Sequence, residues 1–266
     1  MILTSDYHTH TKYSHGKGTV LENAIRAKEI GLKEIAISDH GFSHPAFGLR
    51  QRKMPKLISD CKEAEKITGV KVLVGIESNI IGTDGTVDLK EKNYDKFDVF
   101  LAGIHKFVLY KPNTFFSVFV PNFINSTFNS KNISNRLIKE NTKTFINVIK
   151  NNPVDVITHL NYCCYANPLE VAKVASDYGT FIELNAKKTH LTDDEIVDIL
   201  AKTDAKFIIN SDAHSKDRVG EISLVESIVS RLNIPSDRIV NIDGKLPDFR
   251  FRKFKEKNNL WILGKW

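Results

Sequence analysis

Seven short apolar runs punctuate the 266 residues, and most are followed by a stretch with helical periodicity. The runs are MILTSDYH (1–8), EIAISDH (34–40), VKVLVGIES (70–78), DVFLAGIHK (98–106), VDVITH (154–159), TFIELN (180–185) and KFIINSDAH (206–214). Their apolar residues do not alternate strictly with polar ones, as expected of strands covered on both faces. A repeating order of buried strand and helix suits a parallel α/β barrel or a doubly wound parallel sheet. The punctuation agrees. TVLENAIRAKEIG (19–31) opens on a Thr-x-x-Glu capping box and closes on Gly31, and KLISDCKEAEKITG (56–69) closes on Gly69. NPLEVAKVASDYG (167–179) carries an Asn cap, a proline at the first helical position and a terminal glycine, and TDDEIVDILAKT (192–203) reads as a further helix.

The length suits one α/β barrel or two smaller domains. There is no internal repeat and no low-complexity linker, so one domain over residues 1–266 is expected. The longest connection, 107–153, joins the fourth and fifth strands. Its aromatic, Asn-rich first part, FVLYKPNTFFSVFVPNFINSTFNSKN, reads as an excursion packed over the barrel, with a lid or substrate-contact loop as the second reading. Apolar stretches such as VKVLVGI (70–76) are too short to span a bilayer, and the N-terminal residues lack the features of a signal peptide. Cys61, Cys163 and Cys164 form no C-x-x-C pair and give no disulfide framework, so a reducing, cytoplasmic setting without a membrane partner is expected. Part of the formal charge of +6 lies in FRFRKFKEK (249–257). That run reads as a solvated basic tail or edge segment, with a nucleic-acid patch as the alternative.

The polar residues fall at the C-terminal ends of the expected strands. Strand one ends in His8 and His10, strand two in Asp39 and His40, strand three in Glu77 and strand four in His105. Strand five ends in His159, strand six in Glu183 and Asn185, and strand seven in Asp212 and His214. Of nine histidines in the chain, six occupy these windows, where chance would put roughly one. In parallel α/β folds the strand C-termini share the face that carries the site, so these groups should meet. Neutral imidazoles beside carboxylates form a donor set suited to Zn²⁺, Mn²⁺ or Fe²⁺. In His8-Thr9-His10 the period of two sends both rings to one side of a strand, and Asp212-Ala213-His214 is expected to repeat that geometry. Glu77 has two oxygens and can bridge two ions.

Taken in order, DYHTHTKYSHG (6–16), GLKEIAISDHG (31–41), GIESNI (75–80), LAGIHK (101–106), VITH (156–159), FIELN (181–185) and NSDAHS (210–215) resemble the PHP (polymerase and histidinol phosphatase) family. With the continuation NIIGTDGTVDL after Glu77, they are most similar to stand-alone bacterial PHP phosphatases of the YcdX type. The resemblance implies a distorted (β/α)7 barrel with three divalent metal ions at the C-terminal ends of its strands. On it, His8, His10, Glu77 and Asp212 hold one ion, His15, His40 and His214 a second, and His105, His159 and the bridging Glu77 a third. Where the family usually has proline after the histidine at position 159, this chain has Leu160-Asn161. His44 and His190 lie outside the pattern and read as surface residues, with a phosphate contact or proton donor as the alternative.

The implied activity is hydrolysis of small phosphomonoesters by attack of a metal-bound hydroxide, with Glu77, Asp212 and His214 as the catalytic residues. Asp39 and Asn185 are candidates to orient the imidazoles, and Lys106, Lys187 and Lys188 to meet phosphate, although simple solvation is the plainer reading for each lysine. The expected partner is a small phosphorylated substrate. A phosphodiesterase or 3′–5′ exonuclease on nucleic acid is the alternative, and a metal-loaded binding protein without turnover is a third reading.

Overall fold

The computed structural model describes residues 1–127 and 133–260. Seven parallel strands run in sequence order: β1 (Ser5–Thr9), β2 (Glu34–Ile37), β3 (Lys71–Asn79), β4 (Val99–Gly103), β5 (Val156–Ile157), β6 (Phe181–Asn185) and β7 (Phe207–Asn210). They form a nearly closed barrel, and helices in the connections cover the outside. Tyr7, Ala36, Val99, Leu101, Val156, Phe181 and Ile208 fill the interior, and a larger apolar cluster lies largely between strands and helices.

The helix signals work as read. Thr19 and Glu22 close a capping box on α1 (Val20–Glu29), and Gly69 ends α2 (Met54–Thr68) in the left-handed region at φ 74°. Asn167 caps the later helix Pro168–Tyr178, which ends on Gly179. Most strands are shorter than their apolar runs. The first begins at Ser5, the fifth has two residues, and the seventh stops at Asn210, before Asp212.

Two features of the sheet shape the mouth. The long strand β3 pairs with β2 through Lys71–Val74 and with β4 through Gly75–Asn79. This stagger carries Glu77 beyond the end of β2, beside His40. The second feature is the join between β1 and β7, where the ladder reduces to a bridge between Thr9 and Ala213. Side chains do the rest. Asn241 bonds the carbonyls of Ser5 and Ile209, Asn210 Oδ1 accepts from Tyr7 N, and Asp6 accepts from Ser211 and Gly220.

The basic run 249–257 is not a solvated tail. It forms a helix, Arg250–Lys257, across the floor of the barrel. Phe249 meets Tyr7 edge-on at 4.8 Å, and Phe251 and Lys255 are fully buried. An alternation of cations and rings lets one helix face pack while the other stays charged. The rings that a nucleic-acid patch would expose are used in packing.

Over described residues 107–127 the connection after β4 is packed only in part: Val108, Thr114, Val118 and Asn122 are buried, while Phe107, Leu109, Phe116 and Ile124 are exposed. Leu109 N donates to Ser43 O and Lys111 N to Ile81 O, both at 2.9 Å. Phe115, Phe119 and Phe123 stack along a π-helical turn (Phe115–Phe119) and the helix Val120–Thr127. The remainder of the expected lid segment, 128–132, lies outside the described residues. No helix among the described residues is long and apolar enough to cross a membrane.

Candidate metal centre

Glu77 is fully buried, and imidazoles surround its carboxylate. Oε1 lies 3.2 Å from His8 Nε2, 3.0 Å from His105 Nε2 and 2.7 Å from His159 Nε2. Oε2 lies 2.8 Å from His40 Nδ1 and 3.7 Å from His10 Nε2. Asp212 Oδ1 stands 3.4 Å from His10 Nε2 and 3.3 Å from His214 Nδ1. The His15 ring closes the group, 4.8 Å from His40 and 4.3 Å from His214 between centroids. All nine residues expected from the motifs therefore meet at one mouth.

The donor chemistry fits divalent cations. His8 Nε2, both nitrogens of His10, His40 Nδ1, His105 Nε2 and Glu77 Oε2 are buried without a hydrogen-bond partner. Buried polar atoms are ordinarily satisfied, so this concentration marks ligand atoms aimed at a shared space. Among the described residues three compact donor triads occur: His8, His10 and Glu77; His40, Glu77 and His105; and His10, His40 and His214, each with atoms within 4.8 Å of one another. His10 thus faces two triads, a sharing that the motif assignment does not include.

Residues behind the donors fix their orientation. Glu183 Oε1 holds His8 Nδ1 at 2.7 Å and also accepts from Asn210, while its Oε2 accepts from His159 N and Asn185. His105 Nδ1 lies 2.8 Å from Asn79 Oδ1, and Asn79 Nδ2 donates to Asp88 Oδ2 at 2.6 Å. Asp88 also receives Ser43 and Ser78, so the segment after β3 braces the site. The sequence reading missed this relay. Its one signal is that Asn79 follows Glu77 by two on a strand and so shares its face. Asn185 reaches no imidazole itself; it donates to Glu183 Oε2 at 3.0 Å and to Asp212 Oδ2 at 3.3 Å. Asp39 does not reach an imidazole. It takes Thr11 N, Thr11 Oγ1 and Ser14 Oγ, and so shapes the loop that carries His15. That turn needs Gly16, where a Cβ would stand 2.5 Å from the carbonyl of His10.

Asp212 and His214 do not repeat the strand geometry of His8 and His10. The chain has left β7, and Asp212 adopts φ 49°. His159 is also left-handed, at φ 30°. Backbone strain of this kind persists where surroundings over-determine it, and it clusters at functional sites. Asn161, in the place of the departure from the family pattern, sits at φ 75° and bonds Ala166 N.

Burial pushes imidazoles toward neutrality and competes with the carboxylates. His10 is held well below its ordinary pKa by burial and by its neighbours His40 and His214. Burial lowers His40 to about 3 despite Glu77. In His8 and His159, burial is overcome by Glu77, Glu183 and Asp212, and both are raised. Burial opposes ionisation of Glu77, yet His105, His8 and His40 hold it well below the usual carboxylate range. One side of the cluster is ready to ligate, and the other must release protons as metal enters.

Above the donors opens a cavity of about 450 Å³, lined also by His44, Phe47, Lys106, Phe107, Tyr162, Lys187, Lys188 and His190. His44 and His190 are therefore half-buried lining residues, which corrects their reading as surface residues. Lys187 Nζ lies 3.4 Å from both Asp212 oxygens and 3.1 Å from His214 Nδ1.

Residues 6–189 match the PHP domain family. A probable phosphatase of Thermoanaerobacter sp. (strain X514) is 32% identical, over 94% of this chain and 95% of that one. A probable phosphatase of Caldanaerobacter subterraneus subsp. tengcongensis is 31% identical, over 90% and 87%. Among solved structures, histidinol phosphate phosphatase from Lactococcus lactis subsp. lactis, complexed with zinc, L-histidinol and phosphate, aligns with a TM-score of 0.58. The two share 14% identity, over 88% of this chain and 95% of that one, a likeness of fold.

Proposed function

This chain belongs to the PHP family and is a metal-dependent phosphatase, and from that premise we propose that it hydrolyses small phosphomonoesters at a site for three divalent ions. Residues 1–266 are taken as one PHP domain. His8, His10, Glu77 and Asp212 hold one ion, His15, His40 and His214 a second, and His105, His159 and Glu77 a third, as zinc, manganese or iron. The observation that carries the reading is Glu77, buried among imidazoles whose nitrogens lack hydrogen-bond partners. Divalent ions held there would supply an activated water at neutral pH and neutralise phosphoryl charge.

The chain's own groups supply position. Glu77, Asp212 and His214 are the residues closest to the reacting centre, and Glu183 and Asn79 lock His8 and His105 in register. Lys187, beside Asp212 and His214, is placed to hold a phosphoryl oxygen. Phe107 and Tyr162 form apolar wall against which a leaving group rests.

The test is metal analysis of the purified protein, followed by p-nitrophenyl phosphate against bis-(p-nitrophenyl) phosphate. The expected result is about three equivalents of metal and preferred turnover of the monoester. Preferred diester turnover would replace this reading with a phosphodiesterase. Full metal loading with no turnover across a panel of phosphate esters would replace it with a binding protein.

A further inference from the structure

The lining of the cavity is lopsided in charge. Among the described residues its only carboxylates are Glu77 and Asp212, and both are committed to imidazoles. Against them stand three ammonium groups: Lys106, Lys187 and Lys188. Lys187 is engaged with Asp212 and His214, whereas Lys106 and Lys188 have no carboxylate partner among the described residues. Lys188 is exposed, and it is the backbone around each lysine that is held in place. Lys106 follows His105, whose carbonyl takes the Tyr110 hydroxyl, and is half-buried. Lys188 stands on a turn in which Asn185 Oδ1 accepts from both Lys187 N and Lys188 N. The two lysines thus follow β4 and β6, on either side of the β5 loop that carries His159 and Tyr162. Cations at two points around an open cleft raise the local concentration of anions and repel cations.

We propose that the substrate is a phosphomonoester whose leaving group carries a second anionic group, a carboxylate or another phosphate, held between Lys106 and Lys188. This rests on the phosphatase reading above and names the substrate class of the same cavity. The ammonium of an amino-alcohol phosphate such as L-histidinol phosphate would meet two unpaired lysines there and no free carboxylate.

The experiment uses the metal-loaded full chain and a matched series: phenyl phosphate, 4-carboxyphenyl phosphate and 4-(aminomethyl)phenyl phosphate. L-Histidinol phosphate is a fourth probe. In the wild type, kcat/KM for the carboxylate should exceed that for the ammonium by about tenfold at low salt, and the preference should shrink as salt rises. Because the three leaving groups differ in intrinsic reactivity, the deciding quantity is how this ratio changes in Lys106→Gln and Lys188→Gln. Each substitution should lower it several-fold, and Lys188→Glu should reverse it. A ratio that neither substitution moves, a wild-type preference for the ammonium substrate, or efficient turnover of L-histidinol phosphate overturns the proposal while leaving the phosphatase reading intact. Failure to hydrolyse any of the four by the loaded protein overturns the phosphatase reading itself.

Discussion

At the floor of the barrel, Asp155 is fully buried and accepts from Phe100 N and Phe251 N, at 2.9 and 2.8 Å. Asn241 uses its amide on three backbone groups, and the buried Lys255 donates to Phe97 O. Ser5 Oγ and Asp95 Oδ1, the latter just before β4, are the floor's exceptions. At the mouth, on the same strands, six buried donor atoms of five residues have no hydrogen-bond partner. Both ends bury ionisable groups, which costs free energy unless they are paired. The floor offsets that cost from within the fold. The mouth leaves it to a ligand, and this is the physical difference between a structural polar network and a binding site.

Glu77→Gln should break the contrast most severely. It removes the charge that gathers five imidazoles, and activity should fall by more than about 100-fold with loss of bound metal. Wild-type rates and metal content in that variant would contradict the bridging role. Asn79→Ala acts one step back, freeing His105 to turn. Apparent metal affinity in a competitive chelator titration should fall about 10–100-fold. An unchanged affinity would mean that the Asn79–Asp88 relay is packing alone.

The smallest effect separates the ends by pH. In metal-free protein, His10 and His214 are lowered and His40 stands at about 3, against about 6.5 unfolded. The unfolded chain then binds more protons below that value, so these groups lose stability as pH falls from about 6.5 toward 3. Burial raises Asp155 to about 7, which works in the opposite sense: between pH 7 and about 4 the folded state takes up the extra proton and gains stability. His8 and His159 are raised and work in the same sense as Asp155, so the deciding quantity is the difference between the two proteins: acidification should lower the urea midpoint, measured in chelator, more in Asp155→Ala than in the wild type. A decline of equal slope in the variant would remove the floor from the account.

The barrel and the nine meeting residues were legible because they follow local rules. Unalternated apolar runs mark buried strands, and parallel strands bring their C-terminal ends together. What was hidden depends on distance or backbone twist. Asp88 reaches His105 only through Asn79, and no local pattern couples these three. Asp39 neighbours His40 in sequence but serves the His15 loop. The left-handed turn at Asp212 replaces the strand geometry that its spacing suggested. The basic helix at the floor was misread because composition reports its charges and conceals the face on which Phe251 and Lys255 are buried.

The join between β1 and β7 gives the centre a second meaning. His8 and His10 arrive from one bank of that join, Asp212 and His214 from the other, and little ladder spans the gap. A cation gripped from both banks is a clasp on the cylinder's weakest stave. An ion held by residues of both banks would brace the join, so amide exchange along β1 is expected to slow when metal is bound, a readout that needs no substrate.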